Sequence, residues 1–170
     1  VDGQLGNPGP VKLELLTAAD AGELLTLQQA AYLTEARAHQ NFDLPPLLDT
    51  LDDVRAAIAD PSTTVWGFRD GGRLVASVRM RVDGPVGEVG RLVVAPDRQG
   101  EGLGTALLTA AEEATPAEVT VFRLFTGERS AGPRYLYGKL GYRETHRSPE
   151  ADYHLVHLEK PRMRDPGRVR

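Results

Sequence analysis

The 170-residue sequence has no cysteine, which excludes a disulfide framework, a thiolate zinc site and a cysteine nucleophile. A reducing, cytoplasmic setting is the expectation that fits this absence. No apolar run approaches the roughly 18 residues a membrane span requires, so no membrane partner is expected. The first ten residues have neither a basic nor an apolar signal region, so they read as a flexible lead rather than a secretory signal. Positive charge is not in excess: 24 acidic residues face 20 Lys and Arg, a net charge of −4, which disfavours a nucleic-acid partner. The four histidines, His39, His146, His154 and His157, are scattered, and no metal site is read from them.

What is present reads as one domain over residues 11–159, with residues 160–170 as a solvated basic tail. Val11–Leu16 alternates like a strand. Thr17/Asp20 and Thr50/Asp53 have capping-box spacing and announce two helices, the first carrying Leu24, Leu27, Ala31 and Glu35 on adjacent turns. Pro45-Pro46 is expected to keep residues 38–49 as a loop. Thr63–Arg69, Arg73–Val82 and Val86–Ala95 form an antiparallel meander joined by Asp70-Gly71-Gly72 and Asp83-Gly84-Pro85. The period then turns helical from Leu103 to Ala114 and stops at Pro116. Val119–Phe125 reads as a buried strand, so strand, helix and strand suggest a parallel crossover. Arg134–Leu140 reads as a helix ended by Gly141. Tyr142–Thr145 and Tyr153–Leu158 read as a last hairpin.

The chemistry lies where the third meander strand passes into a helix, at Gln99-Gly100-Glu101-Gly102-Leu103-Gly104-Thr105. Three closely spaced glycines bare backbone N–H groups at a helix start, where the helix dipole also favours an anion; a pyrophosphate suits such a site. The nucleotide P-loop is excluded because no Lys follows the glycines, and the dinucleotide fingerprint because the spacing is Gly-x-Gly-x-Gly.

This segment resembles the Gln/Arg-x-x-Gly-x-Gly/Ala motif of the GNAT acyltransferase superfamily. Leu92-Val93-Val94-Ala95-Pro96 before it, and Tyr135-Leu136-Tyr137-Gly138-Lys139-Leu140-Gly141-Tyr142 about 33 residues on, are similar to that family's flanking strand and second block. The resemblance implies an α/β (α+β) fold. Its six- to seven-stranded mixed, mostly antiparallel sheet would carry helices on both faces and splay between strands four and five to take acetyl-CoA. By the same resemblance the backbone of Gln99, Gly100, Glu101, Gly102, Leu103, Gly104 and Thr105 would hold the pyrophosphate. Val94 would bond the pantetheine arm, and Leu92 N–H would face the thioester oxygen. Ser130 stands where many members carry Asn, and would still donate to the cofactor arm. Glu88 matches the position of a general base and Tyr137 that of the acid that protonates the departing sulfur.

In an unbroken strand Glu88, Gly90 and Leu92 would share a face. The resemblance also implies that Tyr32, Glu35 and His39 fall in the region where an acceptor would enter, and their mixture suits a cationic amine. Acetyl transfer to a primary amine of a small molecule or peptide is therefore expected, in a chain that pairs as a homodimer. A binding module of the same fold that senses CoA without turnover is the alternative.

Overall fold

A computed structural model describes residues 11–163. The expected lead 1–10 and residues 164–170 of the expected tail lie outside the described residues. Strand β1 (Lys12–Leu15) opens the fold. Thr17 N–H donates to Asp20 Oδ2 at 2.8 Å, and a short 3-10 turn at Ala18–Asp20 runs straight into α1 (Ala21–His39). The second capping box also forms, with Asp53 N–H donating to Thr50 Oγ1 at 3.2 Å ahead of α3 (Leu51–Ala59). Between them stands a helix the sequence reading did not expect, α2 (Pro45–Leu48). Pro45 and Pro46 occupy its first two positions, where no N–H partner is required and proline's fixed φ is already helical.

The meander consists of β2 (Thr63–Asp70), β3 (Arg73–Asp83) and β4 (Val86–Val94), which with β1 make four antiparallel strands. Helix α4 (Leu103–Ala114) crosses over to β5 (Val121–Gly127), which pairs parallel with β4. After α5 (Ala131–Lys139), the hairpin of β6 (Arg143–Glu150) and β7 (Tyr153–Pro161) completes a seven-stranded sheet in the order β1-β2-β3-β4-β5-β7-β6. Each face buries its own core. Leu103, Leu107, Leu108 and Ala111 of α4 and Tyr137 of α5 pack with Val78, Met80, Val89 and Phe122. Leu24, Leu27 and Ala31 of α1 and Val54 of α3 pack with Val65, Leu74 and Val93 on the other face.

Two features of this sheet position the site. First, β4 and β5 pair only at Val86–Val121, Gly87–Phe122 and Glu88–Arg123. Beyond Glu88 the strands part, as the resemblance implied. Second, β4 carries a bulge: the register with β3 jumps from Arg79–Gly90 to Ser77–Val93, and Arg91 adopts φ 51°. One extra residue in a strand reverses the alternation beyond it. The expectation that Glu88 and Leu92 share a face is thus corrected. Glu88 and Gly90 lie with Val93 toward α1, whereas Leu92 packs with Val94 on the α4 side.

The boundary drawn at residue 160 is corrected as well. Lys160 pairs in register with Phe122, and its Nζ donates to the buried Glu112 carboxylate at 2.7 Å, which also accepts Tyr142 Oη at 2.7 Å. The Arg162 guanidinium donates to the carbonyls of Thr115 at 2.8 Å and Glu112 at 3.2 Å, satisfying the C-terminal end of α4. These basic residues anchor α4 to β7 instead of trailing in solvent.

Candidate active site

The glycine loop has the form an anion site needs. Gly100 and Gly102 hold φ 81° and 82°, dihedrals that a side chain disfavours by crowding its own backbone. Nothing lies within 4 Å of where a Cβ would stand at either residue, so the space above the loop is open. Gly102 is the N-cap of α4 and supplies no capping side chain, leaving the first-turn N–H groups to an external acceptor. Gly104 serves packing instead: a Cβ there would lie 3.1 Å from Leu136 Cδ1, so this glycine lets the start of α4 close on α5. Arg98, largely buried, pins the loop by donating to Asp70 Oδ2 at 2.7 Å and to Glu101 Oε2 at 2.9 Å. Gln99 turns back on the strand, its Nε2 donating to Val94 O at 3.3 Å.

The parted edge of β4 runs from Glu88 to the loop, and Leu136 of α5 and Val94 of β4 both come up to Gly104, so loop, strand edge and α5 border one cleft. Ala131–Lys139 is helical despite Pro133, which sits in the first turn of α5 where its missing N–H costs nothing. Tyr137 is buried against Tyr142, ring centroids 5.9 Å apart, and its hydroxyl makes no hydrogen bond among the described residues. Burial holds its proton above the ordinary tyrosine range, with Tyr32 and Glu35 adding to the effect. Tyr32 is pushed up to about 12, again chiefly by burial.

Across the cleft, the last turns of α1 meet the β5–α5 connection. The Ser130 hydroxyl donates to the Glu35 carboxylate, tying the connection to α1. His39 is 2% exposed and fully engaged. Its Nδ1 donates to Glu35 O at 3.0 Å, Nε2 accepts Arg129 N–H at 3.2 Å, and its ring lies 4.5 Å from Tyr153. A Cβ at Gly127 would fall 2.2 Å from His39 Nε2, so glycine alone lets helix and strand approach this closely. His39 thus fastens α1 to the connection, with Glu35 one turn and Tyr32 two turns before it on the same helix. Glu88 sits at the apex where β4 and β5 part, about half exposed, its carboxylate accepting Arg81 Nη1 at 2.7 Å.

The sequence reading missed a second group on the α1 side. Gln28, Asp49, Ser77, Arg79 and Arg91 line a cavity of about 150 Å³ between α1, α3 and the bulged stretch of β4. Asp49 Oδ2 accepts Gln28 Nε2 at 2.7 Å and Arg91 Nε at 3.2 Å. One signal was available: Arg79 is a charge between the apolar Val78 and Met80 of a central strand.

A mixed sheet opened between parallel fourth and fifth strands, with a glycine-rich helix start at the opening, defines an acyl-CoA transferase fold. The acetyltransferase (GNAT) domain family matches residues 61–144, so this stretch of the chain is a GNAT acetyltransferase domain. The solved structure of the PaiA N-acetyltransferase of Thermoplasma acidophilum in complex with coenzyme A is similar over 90% of this chain and 99% of that one, with TM-score 0.75 and 13% identity. The ribosomal-protein-S18-alanine N-acetyltransferase of Escherichia coli is similar over 95% and 99%, with TM-score 0.75 and 18% identity. In sequence, mycothiol acetyltransferase of Clavibacter sepedonicus is 34% identical over 108 residues, 64% of this chain and 34% of that protein. The match thus spans about a third of that relative's length. Acetyl-CoA is the co-substrate of the family, and the residues present fit it: open positive-φ glycines, an uncapped helix start and a parted strand edge. Among the described residues no helix is long and apolar enough to cross a membrane.

Proposed function

We propose that the chain transfers an acetyl group from acetyl-CoA directly to a primary amine in a ternary complex. The observation that carries this reading is the meeting, on the cleft that begins at the glycine loop, of the Glu35 carboxylate and Tyr137, whose ring is buried and whose hydroxyl makes no hydrogen bond among the described residues. Bound acetyl-CoA supplies an activated acyl carbon; the chain supplies orientation and proton traffic.

Backbone N–H groups from Gly100 to Thr105 hold the diphosphate. The parted edge of β4 at Leu92 and Val94 offers main-chain groups to the arm, with Leu92 N–H as the donor toward the oxygen on which charge grows. Attack requires a neutral amine, so a carboxylate removes the ammonium proton. Glu35 is better placed than Glu88, because Glu88 is half exposed and held by Arg81 at 2.7 Å. Tyr137 keeps its proton at neutral pH and gives it to the leaving sulfur.

The reading is tested by incubating the protein with labelled acetyl-CoA and a panel of amines. Acceptor-dependent release of CoA thiol is expected; CoA binding without turnover on any amine would leave a sensor of the same fold instead. Comparing Glu35→Gln with Glu88→Gln separates the carboxylates. The first is expected to lower kcat by about 100-fold and the second by no more than a few-fold. The reverse order would return the base to the strand apex, acting through water.

A further inference from the structure

The Arg79 guanidinium is a half-buried charge without a counterion. Among the described residues it makes no ion pair and no hydrogen bond, while the neighbouring Arg91 takes the one carboxylate within reach, Asp49. That Asp49 oxygen also accepts Gln28 Nε2. Asp53, the other acid on the cavity wall, is committed to the α3 cap, where its Oδ2 accepts Thr50 N at 2.8 Å and Oγ1 at 2.9 Å. The guanidinium lies across Gly90, the register partner of Arg79, where a Cβ would stand in ordinary contact at 3.7 Å from Nε and Nη2. The cavity therefore holds two guanidiniums against one available carboxylate.

Holding such a charge partly out of water is unfavourable, and an arriving anion would relieve that cost. An apolar side chain at this central strand position would avoid the cost. A planar guanidinium fork, moreover, matches a carboxylate with two parallel hydrogen bonds. Leu92 lies two residues beyond Gly90, across the bulge, and so no more than about 7 Å away along the chain. An anion on Arg79 and an amine at the parted edge would thus belong to one short molecule.

Building on the amine-transfer reading, we infer that Arg79 and Arg91 form a carboxylate subsite, and that the acceptor is a small amino acid carrying its carboxylate on the same molecule as the amine. The cavity of about 150 Å³ accommodates such a group and a few carbons.

The test uses the full chain and a panel of free amino acids, each paired with its carboxamide. The acid is expected to exceed its amide at least tenfold in kcat/KM, and Arg79→Gln should bring the ratio near one, with Arg79→Lys restoring part of it. Calorimetric binding of the acids to the CoA-loaded protein reads the subsite without turnover. Thermal unfolding adds a third readout: Arg79→Met removes the unpaired charge and should raise Tm by about 2–4 °C while abolishing the stabilisation that the acid gives the wild type. Equal turnover of acids and amides, insensitive to Arg79, would overturn the subsite and leave amine transfer standing. Acids that bind through Arg79 but are never acetylated would uphold the subsite and overturn transfer. Neither binding nor turnover of any amine would overturn both.

Discussion

The two ends of the cleft are built from different materials. At the cofactor end the working groups are backbone amides, presented by one continuous segment, Gln99–Thr105, whose side chains are absent or turned away. At the proposed acceptor end they are side chains: Gln28, Tyr32 and Glu35 from α1, Asp49 after α2, Arg79 from β3, Arg91 from the β4 bulge and Tyr137 from α5. Backbone groups are the same in every residue, so an end made of them suits a co-substrate common to a whole family. Side chains vary freely, so the other end can change acceptor without disturbing the first. The tether between the ends is also made of side chains, with Glu35 bonded to Ser130 and His39 to the Arg129 amide.

The comparison is broken most severely at Tyr137. Tyr137→Phe removes one oxygen, which bonds nothing among the described residues, and leaves the ring packed on Tyr142. Turnover, read as kcat, should fall by about 10²–10⁴-fold, with CoA affinity and Tm little changed. A loss confined to CoA binding would move this residue to the cofactor end. Because burial keeps the phenol protonated well above neutrality, the wild type should show no alkaline decline from this group below about pH 10.

A smaller effect is expected at Gly102. Gly102→Val must hold φ 82° with a β-branched side chain, and its methyls would project into the open space that an anion needs. CoA affinity should drop by about ten- to a hundredfold by equilibrium titration. The affinity for the acceptor, measured at saturating CoA, should stay within a few-fold. Equal losses for both ligands would deny that the two ends are separable.

The same division explains what the sequence disclosed. The cofactor end lies within one seven-residue stretch, where glycine spacing directly encodes dihedral and exposure, and the meander, the crossover and the last hairpin followed from turns and periods. The acceptor end draws on residues 28 to 137, and no local spacing encodes their meeting. Glu88 shows the limit most sharply. Two-residue alternation put it beside Leu92, but a single inserted residue at Arg91, a non-glycine with φ 51° next to Gly90, sends the two to opposite faces. Ser130 shows another: the residue type announced a donor, but only the fold reveals that Glu35 takes the proton. Lys160 and Arg162 looked like a tail because charge was visible and the partners, Glu112 and the carbonyls ending α4, were 46 to 50 residues away.

The smallest expected effect concerns how the cofactor end is held. Asp97, just before the loop, is paired with Arg73 across the strand end, with oxygens 2.6 and 2.7 Å from the guanidinium. That hydrogen bonding lowers its pKa from 3.8 to about 2. A carboxylate whose folded pKa is depressed stabilises the fold above its unfolded pKa, and loses that contribution as pH falls through the folded one. The window is therefore about pH 4 to pH 2. Both partners are more than half exposed, so solvent screening keeps the contribution small. Asp97→Asn should lie slightly below the wild type in Tm at pH 5 and above, and the two curves should converge as the acid is titrated from about pH 4 to pH 2. A gap that persists unchanged at pH 2 would mean that Asp97 acts through its shape in the turn before the loop and not through its charge. The acceptor end, whose Glu35 is bonded to an uncharged hydroxyl, would not be expected to loosen in step with it.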